Sequence, residues 1–248
     1  MESRASNLRT VCLEALELAE AVFRTVENVI PVPEWVPWEN DSNWRYVKQM
    51  PMQAALQKLA RTISGVHALD LLMTRGFLQE VGVLFRISDE LCEDISFITL
   101  GLITGNWTEK HDMYLNHFWS EDELDTGCPV RRKAIRAFVN RALGQTDPSA
   151  GDRVGRTIHK TYSDYVHARS APIMGMVSGP PPRFHLAGTT AEQAMWPYVE
   201  QMPSYAYRCL MSAAMVAKAT FIDAISQPAY QSVRDFEVRQ RAWLFPET

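Results

Sequence analysis

The sequence predicts an all-α protein, and three observations carry that expectation. Apolar residues recur at steps of three and four along most of the chain. No run alternates with period two beside a hairpin turn, and nothing repeats at the period of about 20–50 residues that marks solenoids and propellers. No glycine-rich phosphate loop is present either, which excludes several common enzyme classes on pattern alone. The expected architecture is one all-α domain over residues 1–248, a bundle of five to seven helices with a proline-rich loop excursion near residues 179–188.

The elements follow in chain order. Leu8, Val11, Ala15, Leu18, Val22, Val26 and Val29 lay one apolar stripe along a first helix of about six turns. Pro31, Pro33 and Pro37 forbid its continuation. Residues 31–44 read as a tryptophan-rich loop in which Trp35, Trp38 and Trp44 cover the end of the bundle or form a lid over a ligand. Pro51 suits a first helical position. Periodic patterns then run from Met52 to about Arg75 and from Phe77 to about Ile103, giving two long helices or one kinked near Gly76. In the second of these, Phe77, Leu84, Leu91, Ile95, Ile98 and Leu102 share the arc that should face the core. Glu80, Arg86, Glu90 and Asp94 spread from its edge to the far side as a charged face expected to be solvated, with Arg86 and Glu90 at ion-pair spacing.

Residues 105–129 read as loop with a short helical piece, and Val130 to Leu143 as a basic helix ended by Gly144. A fifth helix is expected from about residue 153 to 170, ended or kinked by Pro172. Thr189 or Thr190 should cap a helix beginning AEQAMW, with Pro197 and Pro203 breaking up that region. Residues 205–225 form a strong final helix, apolar nearly all round and therefore central or a dimer interface. A short piece over residues 233–243 closes the chain.

Composition is ordinary for a globular chain, with 46% hydrophobic and 22% charged residues. Cys12, Cys92, Cys128 and Cys209 have no partner at a readable spacing and are expected to be reduced and mostly buried. The opening MESRASNLRT lacks the apolar core of a secretory signal. The longest apolar stretches, residues 95–103 and 210–225, fall short of the roughly 20 residues of a membrane span or are broken by Lys218 and Asp223. A cytoplasmic protein without a membrane partner is the expectation.

The net charge of −4 hides an asymmetry. Residues 109–125 hold six acids against Lys110, whereas residues 130–170 hold nine cations against three acids, a local balance of +6 that suits phosphate groups. Within the basic stretch, residues 153–170 read RVGRTIHKTYSDYVHARS. Val154, Ile158, Tyr162 and Tyr165 make one face of a helix, and Arg156, Lys160, Ser163 and His167 make a polar stripe. Arg156 and Lys160 are candidates to grip a phosphate, and His167 with Ser163 are candidates to move a proton. The same stripe is equally compatible with a solvated or structural role.

The segment KTYSDYVHA, taken with the earlier LLMTRGFLQEVGVLFRISDELCEDI, resembles a group of bacterial helical proteins allied to the HEPN superfamily. Those proteins carry a helix with a glutamate and an arginine, then a Ser-x-x-x-His helix; the matching positions are Glu80, Arg86 and Glu90, then Ser163 and His167. The likeness covers about 110 residues, and it implies a metal-independent RNase of a stress or defence system, working as a dimer through an Arg-x(4–6)-His motif. Arg61 with His67 and Arg153 with His159 fit that spacing, but chance supplies about 1.4 such pairs in a chain of this composition. His167 has only Lys160 at the required distance, a departure that bears on catalysis more than on fold.

Metal chemistry has little to rest on, because no Glu-x-x-His occurs and only His67/Asp70 and Asp164/His167 stand three apart. No metal and no cofactor are expected. Two functions remain open: an RNase with RNA as partner and a homodimer as its working form, or a non-catalytic binding or interaction module in which the His167 stripe is structural.

Overall fold

The computed structural model describes residues 2–38, 41–120, 127–144, 162–189 and 191–241. Helix α1 (Glu2–Glu27) buries Val11, Cys12, Ala15, Leu16, Ala19, Val22 and Val26 on one side, as the periodicity requires. Helices α2 (Pro51–Thr74) and α3 (Leu78–Ile103) form an antiparallel pair. Pro51 starts α2, and the Gln53 side chain closes its first turn by accepting the Met50 N–H at 2.8 Å. The turn between them needs Gly76, whose φ is 70° and where a Cβ would lie 1.9 Å from the Thr189 carbonyl oxygen. Helices α4 (Glu109–Trp119) and α5 (Arg132–Ala142) pack against α3.

A helical stretch at residues 162–166 is followed by α6 (Ser170–Met174), α7 (Glu192–Val199), α8 (Met202–Lys218) and α9 (Asp223–Arg239). Helix α8 is the centre of the bundle, touching α1, α2, α3 and α9. Its buried Ala206, Cys209, Ala213 and Ala217, with Ala15 and Ala19 of α1, are small enough for backbones to approach closely. The final apolar helix was expected in this place. No helix among the described residues is long and apolar enough to cross a membrane.

Four expectations need correction. Residues 31–44 are not simply loop, since β1 (Glu34–Trp38) and β2 (Asp41–Arg45) pair antiparallel with Trp35 opposite Trp44. Prolines that forbid a helix are compatible with an edge strand, and both strands of a two-stranded ribbon are edges. A second small hairpin, β3 (Val177–Ser178) with β4 (Arg183–Phe184), stands in the proline-rich excursion. The expected fifth helix breaks at residues 167–169, before Pro172 rather than at it: Ala168 takes a φ of 47°, and the Arg169 N–H returns to Asp164 O at 3.0 Å. Pro172 then sits in the first turn of α6, where its missing N–H costs nothing. The final helix ends at Lys218 rather than 225. Phe221 at φ 57° and the Thr220 hydroxyl, which accepts the Ile222 N–H at 3.2 Å, start α9, which is far longer than the expected short piece.

Candidate functional site

Helix α3 carries Arg86, Asp89, Glu90, Glu93 and Asp94, which step by three and one and so fall on one arc. Contrary to expectation that arc is largely covered, by α5, α8 and the Lys58 side chain of α2, with Glu90 the most exposed of its carboxylates at 31%. Asp94 retains only 4% side-chain exposure; it accepts from Lys58 Nζ at 2.9 Å and pairs with Arg132. Arg86 pairs with Glu90 at 2.5 Å, and Glu90 also meets Arg132 at 3.5 Å. Arg136 reaches Glu93 Oε1 at 3.5 Å. Asp89 pairs with Arg208 and accepts from the Tyr205 hydroxyl at 3.3 Å. Four carboxylates thus face five cations in one seam. Burial pushes the Glu93 carboxyl above its ordinary range in spite of Arg136 and Arg132, and its Oε2 is buried with no hydrogen-bond partner among the described residues.

The sequence singled out Arg86, Glu90 and Asp94 of this seam and missed Asp89 and Glu93. The three-four spacing of R-x-x-D-E-x-x-E-D was a usable signal, since a stripe of charges at helical spacing can be a buried face when another element supplies counter-ions. Glu80 lies two turns away and is exposed, beside a small recess that it shares with His185 and Gly76.

Of the predicted phosphate and proton-transfer stripe, Arg156 and Lys160 lie outside the described residues. Ser163 is half-buried, and His167 is exposed where the helical stretch ends, its backbone N–H on Ser163 O at 3.0 Å. Two tyrosines fix that stretch against α3. The Tyr162 ring lies 5.4 Å from Phe85, with its hydroxyl on Gln201, and burial pushes its pKa up to about 12. The Tyr165 ring occupies the gap at Gly82, where a Cβ would come within 2.5 Å of it. The two segments that carry the HEPN-like resemblance therefore pack on one another. Arg86, however, is held by Glu90 within the seam.

A different site emerges between the first hairpin and helices α2 and α4. A cavity of about 750 Å³ is lined by Trp44, Tyr46, Phe118 and Trp119 together with Val36, Asn43, Arg45, Gln49 and Gln57. Strand pairing sets Trp44 edge-on to Trp35, ring centres 5.2 Å apart, and Tyr46 edge-on to Trp119 at 6.5 Å. Lys58 ties this wall to the charged seam, since the ammonium that binds Asp94 also stands 4.9 Å from the Phe118 ring centre. Gln49 is held at φ 51°, a conformation that costs a non-glycine residue energy and persists where the surroundings enforce it. A smaller cavity of about 290 Å³ lies between α1, α2 and α7, with Met73, Met195 and Met202 around a two-pronged Arg9–Asp70 pair at 2.8 and 2.9 Å. Burial pushes the Cys12 thiol beside it up to about 12, so it stays protonated and unreactive.

Fold and sites together define a helical bundle with a buried ionic seam and a ligand-sized aromatic cavity. No family model, curated protein or solved structure matches the chain.

Proposed function

We propose that the chain is a non-catalytic binding module, working in the cytoplasm, with the aromatic cavity as its site. The observation that carries this reading is the cavity itself: its size falls within the roughly 300–1,000 Å³ of small-molecule sites, and its lining combines aromatic residues with a few polar ones. The seam on α3 supports the reading from the other side, since its charges are engaged with one another. Free thiols at all four cysteines suit a reducing compartment. The test is a titration with single-ring probes (indole, adenine, benzoate and methyl glucoside), following the indole N–H signals of the tryptophans by NMR. At least one probe should shift Trp44 and Trp119 saturably, and silence of both signals toward every probe at millimolar concentration overturns the reading.

A second reading, a HEPN-like RNase acting as a homodimer, is favoured by one observation: His167 stands exposed four residues from Ser163, on a stretch packed against α3. His167→Ala should then lower RNA cleavage about 100-fold or more with the melting temperature unchanged. Absence of cleavage by the parent protein would remove it.

A further inference from the structure

We propose that the excursion carrying α6, β3 and β4 is a docking surface for an anionic lipid bilayer, with Phe184 and Leu186 entering the interface and Arg183 meeting the lipid phosphates. The sequence supplies the first observation. Residues 165–191 include Arg169, Arg183, His167 and His185 and no aspartate or glutamate. The second is exposure, since Met174 and Phe184 keep 53% and 52% of their surface in water and Leu186 keeps 81%. Single exposed apolar side chains are ordinary. Three of them in one acid-free unit combine what a bilayer interface rewards, apolar groups at shallow depth and cations at the level of the phosphates. Docking of this kind needs no membrane-spanning helix.

The unit is held in place from both ends by the turn between α2 and α3. Gln79 Nε2 donates to Pro172 O at 2.6 Å, and the Thr189 N–H donates to Gly76 O at 3.0 Å. Gly188 comes so close that a Cβ there would stand 1.9 Å from the Arg75 carbonyl oxygen. Between these anchors β3 and β4 pair with Phe184 opposite Val177, and the His185 N–H extends the pairing to Met176 O at 2.9 Å. The conformation that exposes Phe184 and Leu186 is therefore set before a partner arrives, which lowers the entropic cost of docking. The connection between the strands contains Pro180, Pro181 and Pro182, which have no N–H to lose its water at an apolar boundary. Two acids stand beside the unit. Asp164 pairs with Arg169 at 3.2 Å, and Glu80 lines the same recess as His185 and Leu186. Arg169 is thus already engaged, and the exposed Arg183 on β4 is the cation assigned to the phosphates. The first hairpin also exposes Trp35 and Trp44, but its strands carry Glu34 and Asp41 against Arg45, and an anionic surface repels the two carboxylates.

The experiment is co-sedimentation of the full chain with vesicles of phosphatidylcholine alone and of phosphatidylcholine mixed with phosphatidylserine, at low and high salt. Binding to the mixed vesicles should exceed binding to phosphatidylcholine about tenfold and weaken in high salt. Phe184→Ser combined with Leu186→Ser should weaken it by about tenfold or more, and Arg183→Glu by about tenfold. The melting temperature should not change, because all three side chains are exposed. Trp35→Ala should leave vesicle binding as it is. Capture of no protein by the mixed vesicles overturns the proposal, and so does a Phe184/Leu186 double variant that binds as the parent does. Loss on Trp35→Ala in place of those two moves the contact to the first hairpin, and salt-sensitive binding of polyglutamate without vesicle binding identifies an acidic protein partner; either result overturns it as well.

Discussion

Asp94 is the residue on which the ionic seam depends most. With 4% of its side chain exposed, it neutralises Lys58 and Arg132, which approach from two other helices. Removing one partner of a buried pair strands the others, at about 3–5 kcal/mol. Asp94→Asn should therefore lower the unfolding free energy by about that amount in urea titrations, whereas Glu90→Gln, at a more exposed position, should cost about 1 kcal/mol or less. Equal losses would show that the seam does not concentrate its strain at Asp94. Glu93 behaves in the opposite sense. Because burial raises its pKa, the folded chain favours the protonated form, and the stability it contributes is present below its ordinary value of 4.5 and lost as pH rises through the folded value. Glu93→Gln should be more stable than the parent at pH 7, and the gap should close toward pH 4.

At the scale of the element, the start of α4 is organised by one buried histidine. His111 stacks on Phe97 at 3.9 Å and on Trp107 at 4.6 Å. Its Nδ1 accepts the Thr108 N–H at 3.0 Å and its Nε2 donates to Phe97 O at 3.2 Å, an arrangement that suits the neutral ring. Burial lowers its pKa, outweighing the two backbone hydrogen bonds that raise it. Its contribution is then fully present above the ordinary value of 6.5 and lost as pH falls through the folded value. The stability advantage of the parent over His111→Phe should shrink between pH 7 and pH 5, and a constant advantage would contradict this account. The stretch 162–166 depends on Gly82 in the same local way. Gly82→Ala drives a methyl into the Tyr165 ring, and overpacking of this kind should cost about 1–3 kcal/mol in thermal melts.

For the molecule as a whole, α8 packs at once against α1, α2, α3 and α9, which buries Ala206, Cys209, Leu210, Ala213 and Val216, while Met211 and, beyond the end of the helix, Phe221 stay exposed. Cys12, Cys92 and Cys209 are buried free thiols and Cys128 an exposed one. The melting temperature should accordingly be the same with and without dithiothreitol; a marked fall in reductant would mean that a disulfide holds the fold. The tertiary arrangement also joins two regions that the sequence keeps apart. Lys58 touches both Asp94 in the seam and Phe118 in the cavity wall.

The sequence by itself determined the helical class, the stripe of α1, the Pro51 start of α2, the Gly144 stop after α5 and the apolar character that centres α8. These are local properties, set by side-chain period and by backbone preferences within one or two turns. Only the tertiary structure decided that a charged face of α3 is buried, because its counter-ions come from 36 to 119 residues away and a carboxylate looks the same in sequence whether water or arginine surrounds it. It also decided that the tryptophan-rich segment is a ribbon over a cavity. A void is a property of how separate elements meet, and neither Trp44 nor Trp119 carries a sign of the other in the order of residues.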